Sequence, residues 1–364
     1  MNTIRVALIA DFLEEGWPSM DLVADMLFAE LTSGFGSAVH TELLRPAMRR
    51  RMPGSGRLAR NGDRLMNRFY DYPRWLRKQR ASYDVFHIVD HSYAHLALEL
   101  APERTVITCH DLDTFQCLLD PDCKPGWYGF FVRRTLEGFR RARHVVCVSE
   151  ATRQALLRHK LLPPERISVI PNGVAPCFHA APAEATDEVT LLHVGSTIPR
   201  KRIDVLLAVF AAVRLRIPEA RLVRGGGQFT EEQARLAASL GVDRFITVLP
   251  FLDRESLADV YRRATMLLLC SEREGFGLPL AEAMACGCPV VVSDIAVLRE
   301  TAGDAAEYCP VADIGAWADT VVRLIEERRG ARKQWRARVE RARNQAAKFS
   351  WTEAARRLVS IYRT

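Results

Sequence analysis

Two glutamates eight residues apart, Glu274 and Glu282, flank a glycine turn in the stretch SEREGFGLPLAEAMACGCPVVVSD, which begins at Ser271. Gly275 and Gly277 allow the backbone to come close to a ligand. Leu278-Pro279 starts a helix, because proline at a first-turn position loses no hydrogen bond there. The free amides of such a helix start favour an anion such as a diphosphate. Glu282 lies about one turn in, where a carboxylate can accept from two hydroxyls, as on a ribose. Glu274, in the loop, is placed to meet a sugar. A plain glycine turn with two surface acids is the competing interpretation of the same residues.

The elements that must hold these groups follow from apolar runs. Short apolar strands are predicted over 3–10, 85–89, 105–109, 144–148 and 168–170, then over 189–194, 221–224, 245–249, 266–269 and 289–293. Helices are predicted over 19–31, with Gly34 as a stop signal, and over 202–214, 231–240, 254–264 and 278–286. Strands alternating with helices predict an α/β chain with parallel sheets covered on both faces. In such sheets ligands bind beyond the carboxyl ends of the strands. The Ala- and Pro-rich stretch 175–187 reads as a linker. It separates an N-terminal domain over 1–182, completed by a final helix at 350–364, from a C-terminal domain over 183–349.

With 364 residues and 48% hydrophobic content the chain suits two globular domains. No apolar run approaches the ~20 residues of a membrane helix. The first apolar run stops at Asp11, Glu14 and Glu15 without a cleavage site, so it reads as a buried strand and not a leader. Nine cysteines without a C-x-x-C pair read as reduced thiols of a cytoplasmic protein.

The net charge of +7 is concentrated. From Arg45 to Arg80 twelve Arg or Lys stand against two acids, Asp63 and Asp71, interleaved with Phe69, Tyr70, Tyr72 and Trp75. A solvated loop and helix is one interpretation. Peripheral contact with an anionic membrane on its inner face is another. Nucleic acid is a third and is not favoured, because it gives Glu274 and Glu282 no task.

The stretch from Ser271 resembles the E-x7-E signature of glycosyltransferase family 4, the group 1 glycosyl transferases, with G-F-G-L-P and E-A-M-A-C-G-x-P-V-V in the family's wording. The resemblance implies the GT-B fold: two facing Rossmann-like domains with parallel sheets and an interdomain cleft. It implies a retaining transferase that moves a hexose-type sugar from a nucleotide-diphosphate donor to a hydroxyl of a glycan or lipid-linked acceptor, in bacterial polysaccharide or glycolipid synthesis. No cofactor and no bound metal are expected. A sugar-nucleotide epimerase or hydrolase of the same fold is the alternative, and a basic nucleic-acid-binding protein the non-enzymatic one.

Other segments extend the resemblance. HVGSTIPRKRIDVLLAVF, from His193, matches the start of the donor domain. It implies Lys201 on the donor diphosphate, with Gly195 and Ser196 in the same loop. Ser196 stands where many members have an arginine, and Arg200 is the candidate to supply that charge. LVRGGGQFT, from Leu222, resembles a glycine-rich strand end. FLDRESLADVYRRA implies Phe251 and Leu252 near the base. Gly275, Phe276, Gly277, Leu278 and Glu282 complete the expected donor set. In the first half, VITCHDLDTF implies His110 beside the transferred sugar, with Asp111 next to it. DFLEEGWPSMD offers only Gly16 where the family has a glycine pair. Glu274, His110 and Lys201 are the expected catalytic residues, and Gly16 and Asp111 the acceptor-side ones. Asp111-Leu112-Asp113 is a D-x-D that could hold a metal in the other major transferase fold, but two acids alone are a weak signal.

Overall fold

The computed structural model describes residues 3–54, 56–124, 126–181 and 188–364. The chain divides into two compact units, Met1–Gly173 with Trp351–Thr364, and Val174–Ser350.

Among the described residues the first unit holds six parallel strands: β1 (Ile4–Ile9), β2 (Val39–Leu44), β3 (Val85–Ile88), β4 (Thr105–Cys109), β5 (His144–Cys147) and β6 (Ile167–Val169), in the order β2-β1-β3-β4-β5-β6. Central strands such as β3 and β4 are buried at every position, as covering helices on both faces require. The helix Pro18–Phe35 runs through Gly34, so that glycine is not its stop. The helix Trp351–Tyr362 packs on it, and Tyr362 reaches the sheet, its hydroxyl 2.6 Å from His87 Nδ1.

The second unit holds β7 (Thr190–Val194), β8 (Arg221–Gly225), β9 (Ile246–Val248), β10 (Met266–Leu269), β11 (Val290–Ser293) and β12 (Ala306–Cys309), in the order β12-β11-β10-β7-β8-β9. Counted from β7 this is the 3-2-1-4-5-6 order of dinucleotide-binding sheets, read from the far edge. Its core gathers Leu191, Leu206, Phe210, Leu222, Leu268, Val291 and Trp317.

Two strands were not expected from sequence, β2 and β12. Both are sheet edges, where alternating or half-buried residues replace continuous apolar runs. The expected linker also differs. Residues 182–187 lie outside the described residues, but Ala175 and Phe178 are buried in the second unit. Arg262 donates to the carbonyls of Cys177 and His179, and Phe178 packs 5.8 Å from the Tyr261 ring. The stretch 174–181 therefore packs as part of the second unit, not the first. All nine cysteines are free thiols. Among the described residues no helix is long and apolar enough to cross a membrane.

The basic segment from Arg45 to Arg80 is largely folded. It contains the helices Arg57–Met66 and Tyr72–Arg77. Arg45 pairs with Asp25, Arg51 with Asp71, Arg64 with Glu15 and Arg77 with Glu99. Arg68 is buried, 3.5 Å from Glu15, with its guanidinium 4.1 Å from the Tyr93 ring centre. Arg49, Arg50, Arg60, Arg74, Lys78 and Arg80 remain exposed.

Candidate functional site

Each sheet reverses its strand order at one point, between β1 and β3 in the first unit and between β7 and β10 in the second. The loops that leave adjacent strands diverge there, and a ligand fits between them. The candidate residues lie on these loops.

In the second unit the loop after β7 carries Gly195 to Lys201, and the loop after β10 carries Glu274 to Gly277. Although 73 residues apart, Lys201 Nζ and Glu274 Oε1 lie 2.6 Å from each other. Arg200 Nη1 donates to the Arg273 carbonyl at 2.9 Å and is 3.5 Å from Glu274 Oε2. The Glu272 amide donates to the Arg200 carbonyl at 2.9 Å, which joins the two loops through the backbone as well. Burial pushes the Glu274 carboxyl up, but Lys201 and Arg200 outweigh it and hold it below its ordinary value. Glu274 is thus an ionised, buried carboxylate, and Lys201 a buried cation aimed at it.

Gly277 has φ +88 and ends the turn at the start of the helix Leu278–Ala285. That positive φ is what favours glycine here; a Cβ would lie 2.9 Å from Leu298 Cδ2, the movable end of a side chain. Phe276 turns its ring inward, 5.2 Å from Phe349, and its carbonyl accepts from Thr301. Its backbone, and not its ring, is what it offers to a ligand. Leu278 is half-buried at the helix start, beside Gly275 in the same turn.

Glu282 is buried on the same helix and accepts a 3.0 Å hydrogen bond from the Tyr261 hydroxyl. Burial raises its carboxyl to about 8, against a small lowering by Tyr261 and Arg254. Tyr261, itself fully buried on the helix Arg254–Arg263, was not singled out from sequence. Its only signal there was an aromatic residue inside FLDRESLADVYRRA. Phe251 is 77% exposed and Leu252 half-buried, both on the loop after β9.

β8 contributes a second residue that sequence reasoning passed over. Arg224 is fully buried, with hydrogen bonds to the carbonyls of Gly195 and Gly227. His193, on β7, is also fully buried and is held neutral, near 3, by burial and then by Arg224 and Lys201.

In the first unit the strand ends gather acids and histidines. His110, after β4, is buried, with Nε2 2.8 Å from the Val89 carbonyl. Burial lowers its pKa, which keeps the ring neutral. His91 lies between Asp90 (3.3 Å) and Asp111 (3.6 Å). Asp11, at the end of β1, is buried, and burial followed by the neighbouring Asp90 pushes its carboxyl well up. Asp90 is lowered despite its burial, chiefly by His91 and His110. The two neighbouring carboxyls are thus pushed in opposite directions, Asp11 up and Asp90 down. Asp11, Asp90 and His91 were not among the sequence candidates, since an acid or histidine after a strand is unremarkable until the topology brings three such ends together. Asp111 Oδ1 accepts from the Asp113 amide at 3.0 Å, a local turn that engages the first carboxylate of the D-x-D on the backbone. Gly16, φ +68, closes the short turn Leu13–Glu15.

Comparison with known proteins bears on the family and the fold. The family described as "Glycosyl transferases group 1" matches residues 177–344, and "Glycosyltransferase Family 4" matches residues 35–176. The chain is similar to an O-antigen chain mannosyltransferase B of Escherichia coli, 28% identical over 72% of this chain and 70% of that protein. It is also similar to a D-inositol 3-phosphate glycosyltransferase of Mycolicibacterium smegmatis, 35% identical over 49% of this chain. That match spans 40% of the relative's own length. Among solved structures, a sucrose-phosphate synthase from Thermosynechococcus elongatus superposes with a TM-score of 0.79, covering 99% of this chain and 98% of that one at 20% identity. At that identity the likeness is one of fold.

Proposed function

The chain belongs to the group 1 glycosyl transferases of glycosyltransferase family 4, and on that premise we propose that it moves a hexose-type sugar from a nucleotide-diphosphate donor to a hydroxyl acceptor with retained anomeric configuration. Polysaccharide or glycolipid synthesis is the setting that the mannosyltransferase relative suggests. The observation that carries the reading is the meeting of Lys201 and Glu274 across the β7–β10 switch point, beside a glycine-led helix start.

The donor diphosphate takes its place against Lys201, Arg200 and the amides around Gly275 to Leu278. These groups stabilise the charge that develops on the leaving diphosphate, which lowers the barrier to departure. Glu274 accepts from hydroxyls of the donor sugar, and Glu282 from the ribose. Gly195 and Ser196 border the phosphates, and Phe251 and Leu252 the base. The leaving phosphate acts as the base for the incoming hydroxyl on the same face of the sugar. His110 serves the transferred sugar, and Gly16 and Asp111 belong to the acceptor side. No metal or cofactor takes part in this scheme, because two cations and a helix start already face the diphosphate.

We place the enzyme in the cytoplasm, peripheral to the inner face of an anionic membrane. The exposed cations among residues 49–80 support this, together with exposed Leu58, Tyr70, Trp127 and Phe130, whose side chains suit a headgroup region.

Thermal unfolding with UDP-, GDP- and ADP-sugars tests the donor reading, since a ligand that binds the native state raises its stability. A positive donor is then incubated with glycan and lipid-linked acceptors and the products analysed for anomeric configuration. No stabilisation by any of the three classes would sink the reading.

A further inference from the structure

Arg224 is a cation in the interior of the second unit. It is fully buried, and among the described residues no carboxylate pairs with it. Burial lowers it only to about 10, so it stays charged at neutral pH. A buried charge without a counter-ion is costly and calls for strong hydrogen bonds. Arg224 finds them on two loops. Nη2 donates to the Gly195 carbonyl at 2.9 Å, and Nη1 donates to the Gly227 carbonyl.

The two loops touch at glycines. The Gly195 amide donates to the Gly225 carbonyl at 3.0 Å. A Cβ on Gly226, φ +106, would lie 2.3 Å from the Gly195 oxygen. Only glycine lets the loop after β8 close on the loop after β7 at this distance, with the guanidinium beneath both.

The consequence follows from peptide geometry. Among the described residues there are no cis peptide bonds. In a trans peptide the carbonyl and the next residue's N–H point in opposite directions. With the Gly195 and Gly227 oxygens drawn inward to Arg224, the N–H groups of Ser196 and Gln228 are turned outward. They emerge at the carboxyl ends of β7 and β8, where Gln228 is exposed and Ser196 half-buried. Outward backbone amides are the donors from which anion-binding concavities are built, and here two loops supply one each.

We propose that Arg224 is the positioning residue for the donor diphosphate: it holds the Gly195 and Gly227 carbonyls inward, so that the Ser196 and Gln228 amides face the phosphates and its own charge lies behind them. This deepens the donor reading given above and rests on it. It explains how the loop can do without an arginine at Ser196. The charge comes from the neighbouring strand, from below, and the contact to the anion is made by backbone.

The test uses the full chain and calorimetric titration with UDP, GDP and ADP, each beside its nucleoside. Arg224→Lys keeps the charge but cannot fork to two carbonyls, and Arg224→Gln keeps a donor without the charge. Both should lose roughly tenfold in affinity for the diphosphate that the wild type prefers, on the scale of a charged hydrogen bond. Affinity for the nucleoside should be unchanged, a split that general loosening of the fold does not produce. Hydrogen exchange of the wild type, read on peptides containing Ser196 and Gln228, should slow when that diphosphate is added. This measurement stands even if both variants fail to fold. An unchanged ratio of diphosphate to nucleoside affinity in a folded variant, or unslowed exchange at both amides, overturns the proposal. If Lys201→Ala loses the diphosphate while the Arg224 variants keep it, this inference alone falls. If the wild type binds none of the three diphosphates, the donor reading falls and takes this one with it.

Discussion

Lys201 Nζ lies 2.6 Å from Glu274 Oε1, and this one contact ties the loop after β7 to the loop after β10. Both side chains are almost withdrawn from water, at 10% and 6% exposure. Removing one member leaves the other as a buried charge, which costs about 3–5 kcal/mol. Lys201→Ala and Glu274→Ala should each destabilise the protein on that scale, with Arg200 softening the loss in the first case. The double variant should be less destabilised than the sum of the two. Urea unfolding of the four proteins in a double-mutant cycle checks this. Strict additivity would show that the pair carries no coupling.

The two glutamates should separate in kinetics. Glu282→Ala removes the carboxylate assigned to the ribose and should raise the donor KM with little change in kcat. Glu274→Ala removes the one assigned to the sugar and should lower kcat, by roughly a hundredfold on the scale of a lost transition-state contact. Initial rates across donor concentrations distinguish them. Wild-type values in both variants would remove the site assignment.

Glu282 also predicts a pH dependence. Its carboxyl is raised to about 8 by burial, from an ordinary value of 4.5. Between those values the native state holds a proton that the unfolded chain has released. The sign follows: stability falls as pH rises through this window, by up to about 1.4 kcal/mol per pH unit, and the contribution is fully present only below it. Glu282→Gln cannot titrate, so the difference in unfolding free energy between variant and wild type should change with pH across the window. A difference that stays constant would place the Glu282 carboxyl at its ordinary value. Because the ionised carboxylate is the better acceptor for two ribose hydroxyls, donor KM in the wild type should fall as pH rises towards about 8.

How much of this was readable beforehand differs from residue to residue. β4 and β10 are buried on both faces, so their apolar runs identify them without context. β2, with the burial of an edge strand, alternates and includes His40 and Glu42, and such a segment is a strand only because β1 lies beside it. Glu274 and Glu282 sit in a local pattern that sequence can display. Their partners do not. Lys201 meets Glu274 across 73 residues, and Tyr261 meets Glu282 from another helix. Arg224 is the clearest case: by residue type it belongs in water, and only the packing of β8 between β7 and β9 puts it inside.

Turnover should persist after exhaustive chelation. Lys201, Arg200 and a helix start are gathered where the diphosphate is expected, and Asp111 is engaged by the Asp113 amide. Rates before and after chelator treatment, with Mg²⁺ and Mn²⁺ added back, check this. Activity that returns only with a divalent ion would give Asp111 and Asp113 the metal role.

Membrane docking should depend on the exposed cations and not on the paired ones. Reversing Arg49, Arg50 and Arg60 together should reduce sedimentation with acidic liposomes, each residue contributing about 1 kcal/mol near the surface and less at higher salt. Arg64→Glu would instead disturb Glu15 and the fold. Equal recovery on neutral and acidic liposomes, or no effect of the triple reversal, counts against docking.

The helix Trp351–Tyr362 belongs to the first unit, although the whole of the second lies between it and Gly173. A ribosome must therefore finish residues 174–350 before the first unit can receive the helix that packs on Pro18–Phe35 and the tyrosine that meets His87. During that interval the faces of the first unit that this helix covers are bare, while the second unit can already mature. The nascent chain then matures in an order opposite to its reading, with residues made first completed last. Crowded synthesis should expose those faces to chaperones for as long as translation of the second unit takes.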